Sequence, residues 1–124
     1  MKADFERSES IPAARPASML NALSIDVEDY FHVEAFATRI SPDDWPSFTP
    51  RIEKNIDVIL EMLSDHGSKA TFFILGWIAE LYPLLIRRIA DAGHELGCHG
   101  YAHQHILRQT REQFRQDIRK ACRC

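Results

Sequence analysis

Three carboxylates, Asp26, Glu28 and Asp29, fall within four positions of the stretch SIDVEDY, directly behind an apolar run. Clustered like charges raise the cost of ionising one another, so a segment that ends in them calls for a compensating positive charge. A bound cation would supply it. The second stretch able to take part is CHGYAH, with His99 and His103 four residues apart. Such a pair can hold a metal from one helix face, but Gly100 disfavours a helix that starts at His99. The alternative geometry sets His99 at the end of an extended segment and His103 on the turn beyond. One carboxylate and two imidazoles leave coordination positions open, which is the pattern of a catalytic zinc rather than a structural one. A divalent ion with an open position activates water, and a spare carboxylate beside it serves as a general base. That combination is hydrolytic.

The other histidines have plainer readings. His66 falls in the last turn of a predicted helix, where a cation interacts favourably with the helix dipole. His94 opens the third predicted strand at the end opposite His99, His105 lies just past the pair, and His32 stands in a long connection. None has convergent partners in the sequence. The cysteines are Cys98, Cys122 and Cys124, an odd number without an export signal, which argues against a disulfide framework. The terminal Cys-Arg-Cys lacks the partner spacing of a metal clip.

These groups need elements to position them. NALSIDVE reads as a short strand that ends in the acids. RIEKNIDVILEMLSDHG reads as a helix: Ile52, Ile56, Ile59, Leu60 and Leu63 form one stripe, and Gly67 suits the stop. KATFFIL, β-branched and aromatic and too short for a helix, reads as a buried strand. A second helix is predicted from Pro83, a first-turn proline, to Gly93, and HELGCH as a third strand. Thr110 and Gln113 make a capping-box pattern for a third helix, with Phe114, Ile118, Ala121 and Cys122 on one face. Alternating strands and helices argue for parallel strands covered by helices, an α/β architecture. In such folds ligands gather at the carboxyl ends of the strands, where Asp26, Glu28 and His99 fall. Residues 30–50 form an unusually long connection rich in aromatic residues, including Phe31, Phe36, Trp45 and Phe48. They read either as a plug for the end of the sheet or as a ligand-facing wall.

The chain has 124 residues, is 45% hydrophobic and 27% charged, and carries a formal net charge of −3. This is the composition of one soluble domain or of part of one. The slight acidic excess gives no electrostatic basis for binding nucleic acid or anionic membrane, and no apolar run reaches the length of a spanning helix. Residues 1–20, with mixed charges and no apolar core, are expected to be a flexible N-terminal extension rather than a secretory signal, which points to the cytoplasm. Residues 21–124 are expected to be the N-terminal portion of a larger domain, because three strands leave open sheet edges and the last apolar stripe is unfinished.

Taken together, SIDVED, KATFFILGW, LYPLL and AGHELGCHGYAH, in this order from about Asn21 to Ala121, resemble the polysaccharide deacetylases, the NodB-like carbohydrate esterases. DVEDYFHVEAF is most similar to the branch associated with exopolysaccharide assembly. The resemblance implies the N-terminal part of a distorted (β/α) barrel that removes acetyl groups from N-acetylated polysaccharide or oligosaccharide using zinc or another divalent metal. It implies Asp26 as catalytic base and Glu28, His99 and His103 as metal ligands. Strand alternation agrees, since Asp26 and Glu28 share a face and Asp29 takes the other. That leaves Asp29 for a supporting hydrogen bond or for ordering the turn into the long loop, unless the strand bends and brings it into the site. The sequence also departs from the family pattern: Val27 separates the two acids, Gly100 replaces the usual hydroxyl residue, and Gln104 replaces the usual proline. The later family motifs, including the histidine general acid, have no counterpart in this sequence. An allantoinase-like cyclic-amide hydrolase and a non-catalytic metal- or carbohydrate-binding fragment are the alternatives.

Overall fold

The computed structural model describes residues 21–124, so the expectation for residues 1–20 lies outside the described residues. Three short parallel strands form one sheet in the order β1 (Ser24–Val27), β2 (Thr71–Ile74), β3 (Glu95–Cys98). The register aligns Asp26 with Phe73 and Phe73 with Gly97. Parallel neighbours require crossovers. They are supplied by α1 (Ile52–Asp65), by α2 (Gly76–Leu81) with α3 (Pro83–Asp91), and α4 (Arg111–Ala121) follows β3.

The stripe on α1 buries as its spacing requires: Ile52, Ile56 and Leu63 are buried, with Ile59 and Leu60 packed alongside. With Phe72 and Ile74 of β2 and Leu85 and Ile89 of α3 they make the core. Each fully buried side chain of this size contributes on the order of 1.5–3 kcal/mol. Helix ends follow the predicted chemistry. Gly67 and Gly93 adopt φ of 57° and 78° beyond α1 and α3, Pro83 starts α3, and Thr110 and Gln113 form a complete capping box on α4.

Two features differ from expectation. α2 was not foreseen, and it inserts between β2 and α3. The face of α4 is less covered than its pattern predicts: none of its residues is buried and Phe114 stays 39% exposed. α4 packs on α2. Among the described residues, no helix is long and apolar enough to cross a membrane.

The long connection folds into two 3-10 turns, Glu34–Phe36 and Pro42–Ser47. Phe31 and Trp45 are buried, and Phe31 stacks on Phe48 at 5.3 Å between ring centroids. These residues are packed as a plug, and Phe31 and Trp45 also line a cavity, so both readings hold for them. Phe36, 45% exposed, belongs to the surface.

Candidate metal centre

β1 delivers its acids at its carboxyl end, and the alternation of the strand divides them. Asp26 projects on the same face as its register partners Phe73 and Gly97, and its side chain is 55% exposed. Glu28, just past the strand, is mostly covered. Asp29 turns the other way. It is buried, with Oδ1 accepting the Tyr30 N–H at 2.9 Å and Oδ2 accepting those of Arg51 and Ile52 at 2.6 and 3.0 Å. Arg51 and Ile52 are the N-cap and first residue of α1. Asp29 therefore satisfies the open donors at a helix N-terminus, where negative charge is favoured, and does not enter the site.

β3 brings the histidines to the same end. The His99 N–H still bonds to Ile74 O at 2.9 Å, extending the ladder by one residue. The chain then turns at Gly100, with φ of 74°, and reaches His103, the only non-glycine residue at positive φ (53°) among the described residues. That conformation is costly for a histidine and clusters at functional sites.

The result is a convergence of three residues from two strand ends. Glu28 Oε2 lies 3.2 Å from His103 Nε2 and 3.8 Å from His99 Nε2, and Asp26 Oδ2 lies 3.9 Å from His99 Nε2. One ligand atom from each of Glu28, His99 and His103 falls within a 4.8 Å span. Glu28 Oε2, His99 Nε2 and His103 Nδ1 are buried without a hydrogen-bond partner. Orphaned polar atoms are costly, and Glu28 Oε2 and His99 Nε2, 3.8 Å apart with His103 Nε2 3.2 Å from the same carboxylate oxygen, fit a divalent cation. The donor set, one carboxylate and two imidazoles, suits zinc and leaves room for further ligands.

The remaining histidines are engaged elsewhere. His66 Nδ1 lies 2.8 Å from Met62 O, His94 Nδ1 accepts the Ala70 N–H at 3.3 Å, and His105 Nδ1 accepts the Leu107 N–H at 3.2 Å. Burial lowers the pKa of His94. His32 is buried under Trp45 and Trp77, its Nδ1 accepts the Asp29 N–H at 2.7 Å, and burial pushes its pKa down to about 4. The three cysteines are free and exposed, and none joins the cluster.

Two cavities, of about 380 and 300 Å³, share His103, Gln104 and His105 in their walls. The larger lies between the 31–45 loop and the turn after β3, with Phe31, His32 and Trp45 on one side and His103 on the other. An Arg108–Glu34 ion pair at 3.1 Å ties the two loops together. Sequence reasoning passed over His32 as a wall residue and Asp29 as a helix anchor, because their partners lie in segments whose packing is not written locally.

Residues 39–124 match the family model described as polysaccharide deacetylase, a span that holds both histidines and begins after the acids. A peptidoglycan-N-acetylglucosamine deacetylase of Bacillus cereus is 40% identical over 80 residues, covering 63% of this chain and 26% of that protein. A chitooligosaccharide deacetylase of Azorhizobium caulinodans is 32% identical over 79 residues, covering 64% of this chain and 34% of that protein. Among solved structures, the Bc1960 peptidoglycan N-acetylglucosamine deacetylase superposes with a TM-score of 0.55 at 30% identity, covering 81% of this chain and 36% of that one. A CE4 family pseudoenzyme from Bacillus anthracis gives 0.56 at 25% identity, covering 82% and 28%. The chain thus spans about a quarter to a third of the length of these curated relatives.

Proposed function

The chain belongs to the polysaccharide deacetylase family, and from that premise we propose that it carries the acid and histidine half of a divalent-metal site that hydrolyses the acetamide of N-acetylated sugars. The observation that carries the reading is the convergence of Glu28, His99 and His103 with unpartnered buried atoms, beside an exposed Asp26 outside that cluster. Glu28, His99 and His103 would hold the ion. When bound, such an ion supplies Lewis acidity, polarising a carbonyl and acidifying water.

The residues do the rest. Asp26, exposed and 3.9 Å from His99, accepts a proton from the attacking water. Water adds to the acetyl carbonyl, the nitrogen takes up a proton from a general acid outside these residues as the C–N bond breaks, and acetate and the free amine of the sugar leave. Phe73, in register with Asp26 and lying over Gly97, gives this face an apolar floor beside the reacting groups. The named relatives are a peptidoglycan-N-acetylglucosamine deacetylase and a chitooligosaccharide deacetylase, which supports an N-acetylglucosamine-containing glycan as the substrate class. An exopolysaccharide is the narrower choice suggested by the DVEDYFHVEAF stretch.

The test is metal analysis joined to a deacetylation assay. Purified chain is expected to hold near-stoichiometric zinc, and a His99→Ala, His103→Ala double variant to lose it. Unchanged zinc content in the double variant refutes the site.

A further inference from the structure

The arc that carries both histidines, from His99 to His103, is gripped from two sides. On one side the first residues of α2 donate to it, Gly76 N to Gly100 O at 2.8 Å and Trp77 N to Tyr101 O at 3.1 Å. On the other side α4 reaches in: Asp117 Oδ2 accepts the Tyr101 N–H at 2.9 Å. Gly100 fits between the two grips. A Cβ there would come within 2.9 Å of Asp117 Oδ2, and its φ of 74° already favours glycine.

We propose that Asp117 is a positioning residue of the candidate metal centre, fixing the His99–His103 arc so that His103 meets Glu28. The inference rests on the metal-site reading above. Its physical basis is the strain in His103. A histidine at φ 53° holds that conformation only where its surroundings impose it. The imposing contact must act within a residue or two, and the Tyr101 N–H is the donor on the α4 side of the arc. The side-chain oxygen of Asp117 is placed to accept that N–H, and the bond rather than the charge is what holds the arc.

The helix bearing Asp117 is itself fixed. A Cβ on Gly76 would meet Ala121 Cα at 2.8 Å, so α2 and α4 approach backbone to backbone there. The Tyr101 hydroxyl donates to Glu80 of α2, and Lys120 of α4 sits over the Tyr101 ring at 3.4 Å. This accounts for a helix that buries none of its own residues. Its contribution is to brace the arc.

The experiment titrates the 124-residue chain with zinc alone, by competition against a chromogenic chelator, well below the melting temperature. Melting of the zinc-free protein is followed separately. Asp117→Ala is expected to weaken zinc binding roughly 10–100-fold, the usual effect of removing a partner that orients metal ligands. Asp117→Asn keeps an acceptor oxygen for Tyr101 and is expected to bind close to the parent chain. If Asp117→Ala does not fold, Gly100→Ala tests the same bond by pressing a methyl onto Asp117 Oδ2, with at least a tenfold loss expected. Parent-like zinc affinity in Asp117→Ala, or in Gly100→Ala where that replaces it, overturns the proposal. So does an Asp117→Asn variant as weak as Asp117→Ala, since charge rather than the bond would then be the cause. A His99→Ala, His103→Ala variant that keeps its zinc instead removes the underlying metal reading, a result distinct from the others.

Discussion

Replacing Asp29 by asparagine separates scaffold from site within one cluster of acids. The carboxylate faces three donors and no acceptor: Tyr30 N–H on Oδ1, Arg51 and Ile52 N–H on Oδ2. An asparagine keeps one acceptor oxygen and must turn its NH₂ toward a donor. If the oxygen stays on Arg51 and Ile52, the Tyr30 bond is lost and the other two become neutral bonds of about half the strength. A hydrogen bond to a charged group is worth about 1.5–3 kcal/mol and a helix cap about 1 kcal/mol, so a loss near 2 kcal/mol is expected. For a domain of about 100 residues this lowers the melting temperature by roughly 8–16 °C. Asp29→Ala, with all three donors orphaned, should lose more. Urea or thermal melts followed by circular dichroism measure the change, and zinc titration below the transition measures the site. Zinc affinity should stay near that of the parent. Melting unchanged while zinc binding collapses would refute the reasoning, since Asp29 would then be a ligand and not the anchor of α1.

Three further outcomes follow from the same geometry. Asp26→Asn should retain zinc yet lose roughly 100-fold or more in deacetylation of N-acetylglucosamine oligomers, measured in a longer reading frame with turnover, because a general base contributes on that scale; Glu28→Gln should instead weaken the metal. His32 has a folded pKa of about 4 against an ordinary value of 6.5, owing to its burial, so the unfolded chain binds the proton more readily between those values. Stability is therefore full above about pH 6.5 and declines as pH falls toward 4, by at most roughly 3 kcal/mol, and His32→Phe should flatten that part of a stability-against-pH curve. Gly97→Ala puts a Cβ 2.6 Å from Phe73 Cδ1, an overpacking worth about 1–3 kcal/mol in melts, which Phe73→Leu in the same chain should partly relieve.

What could be read from the sequence was whatever is encoded locally. The α1 stripe, Pro83, Gly67, Gly93 and the Thr110–Gln113 box each act within one turn of chain, and each marks an observed element. The pairing of Asp26 and Glu28 on one face, with Asp29 on the other, follows from strand alternation alone and matches where the carboxylates lie. α2 escaped because GWIAEL spans six residues with no side-chain cap. Its first N–H groups are met by carbonyls of Gly100 and Tyr101, some 24 residues on. Asp29 reaches α1 across 22 residues and Asp117 reaches Tyr101 across 16, and no window of sequence shows such bonds. The split between buried Trp45 and exposed Phe36 was hidden for the same reason: both are aromatic, and only the packing separates them.

The bond from Asp29 to Arg51 has a consequence for how this protein can change over generations. It staples the base of the excursion between β1 and α1, so everything from residue 31 to residue 50 hangs from a closed neck. The entropic cost of closing such a loop rises by only about 0.6 kcal/mol for each doubling of its length. Insertions and deletions that spare His32, Glu34 and Trp45, which bond to or pack on groups outside the excursion, leave the neck and the helix start where they are. The wall of the larger cavity opposite His103 is built from that excursion. The lining of that cavity can thus change within a segment whose ends the neck holds fixed, and homologous chains with the same acids and histidines can differ most along this wall.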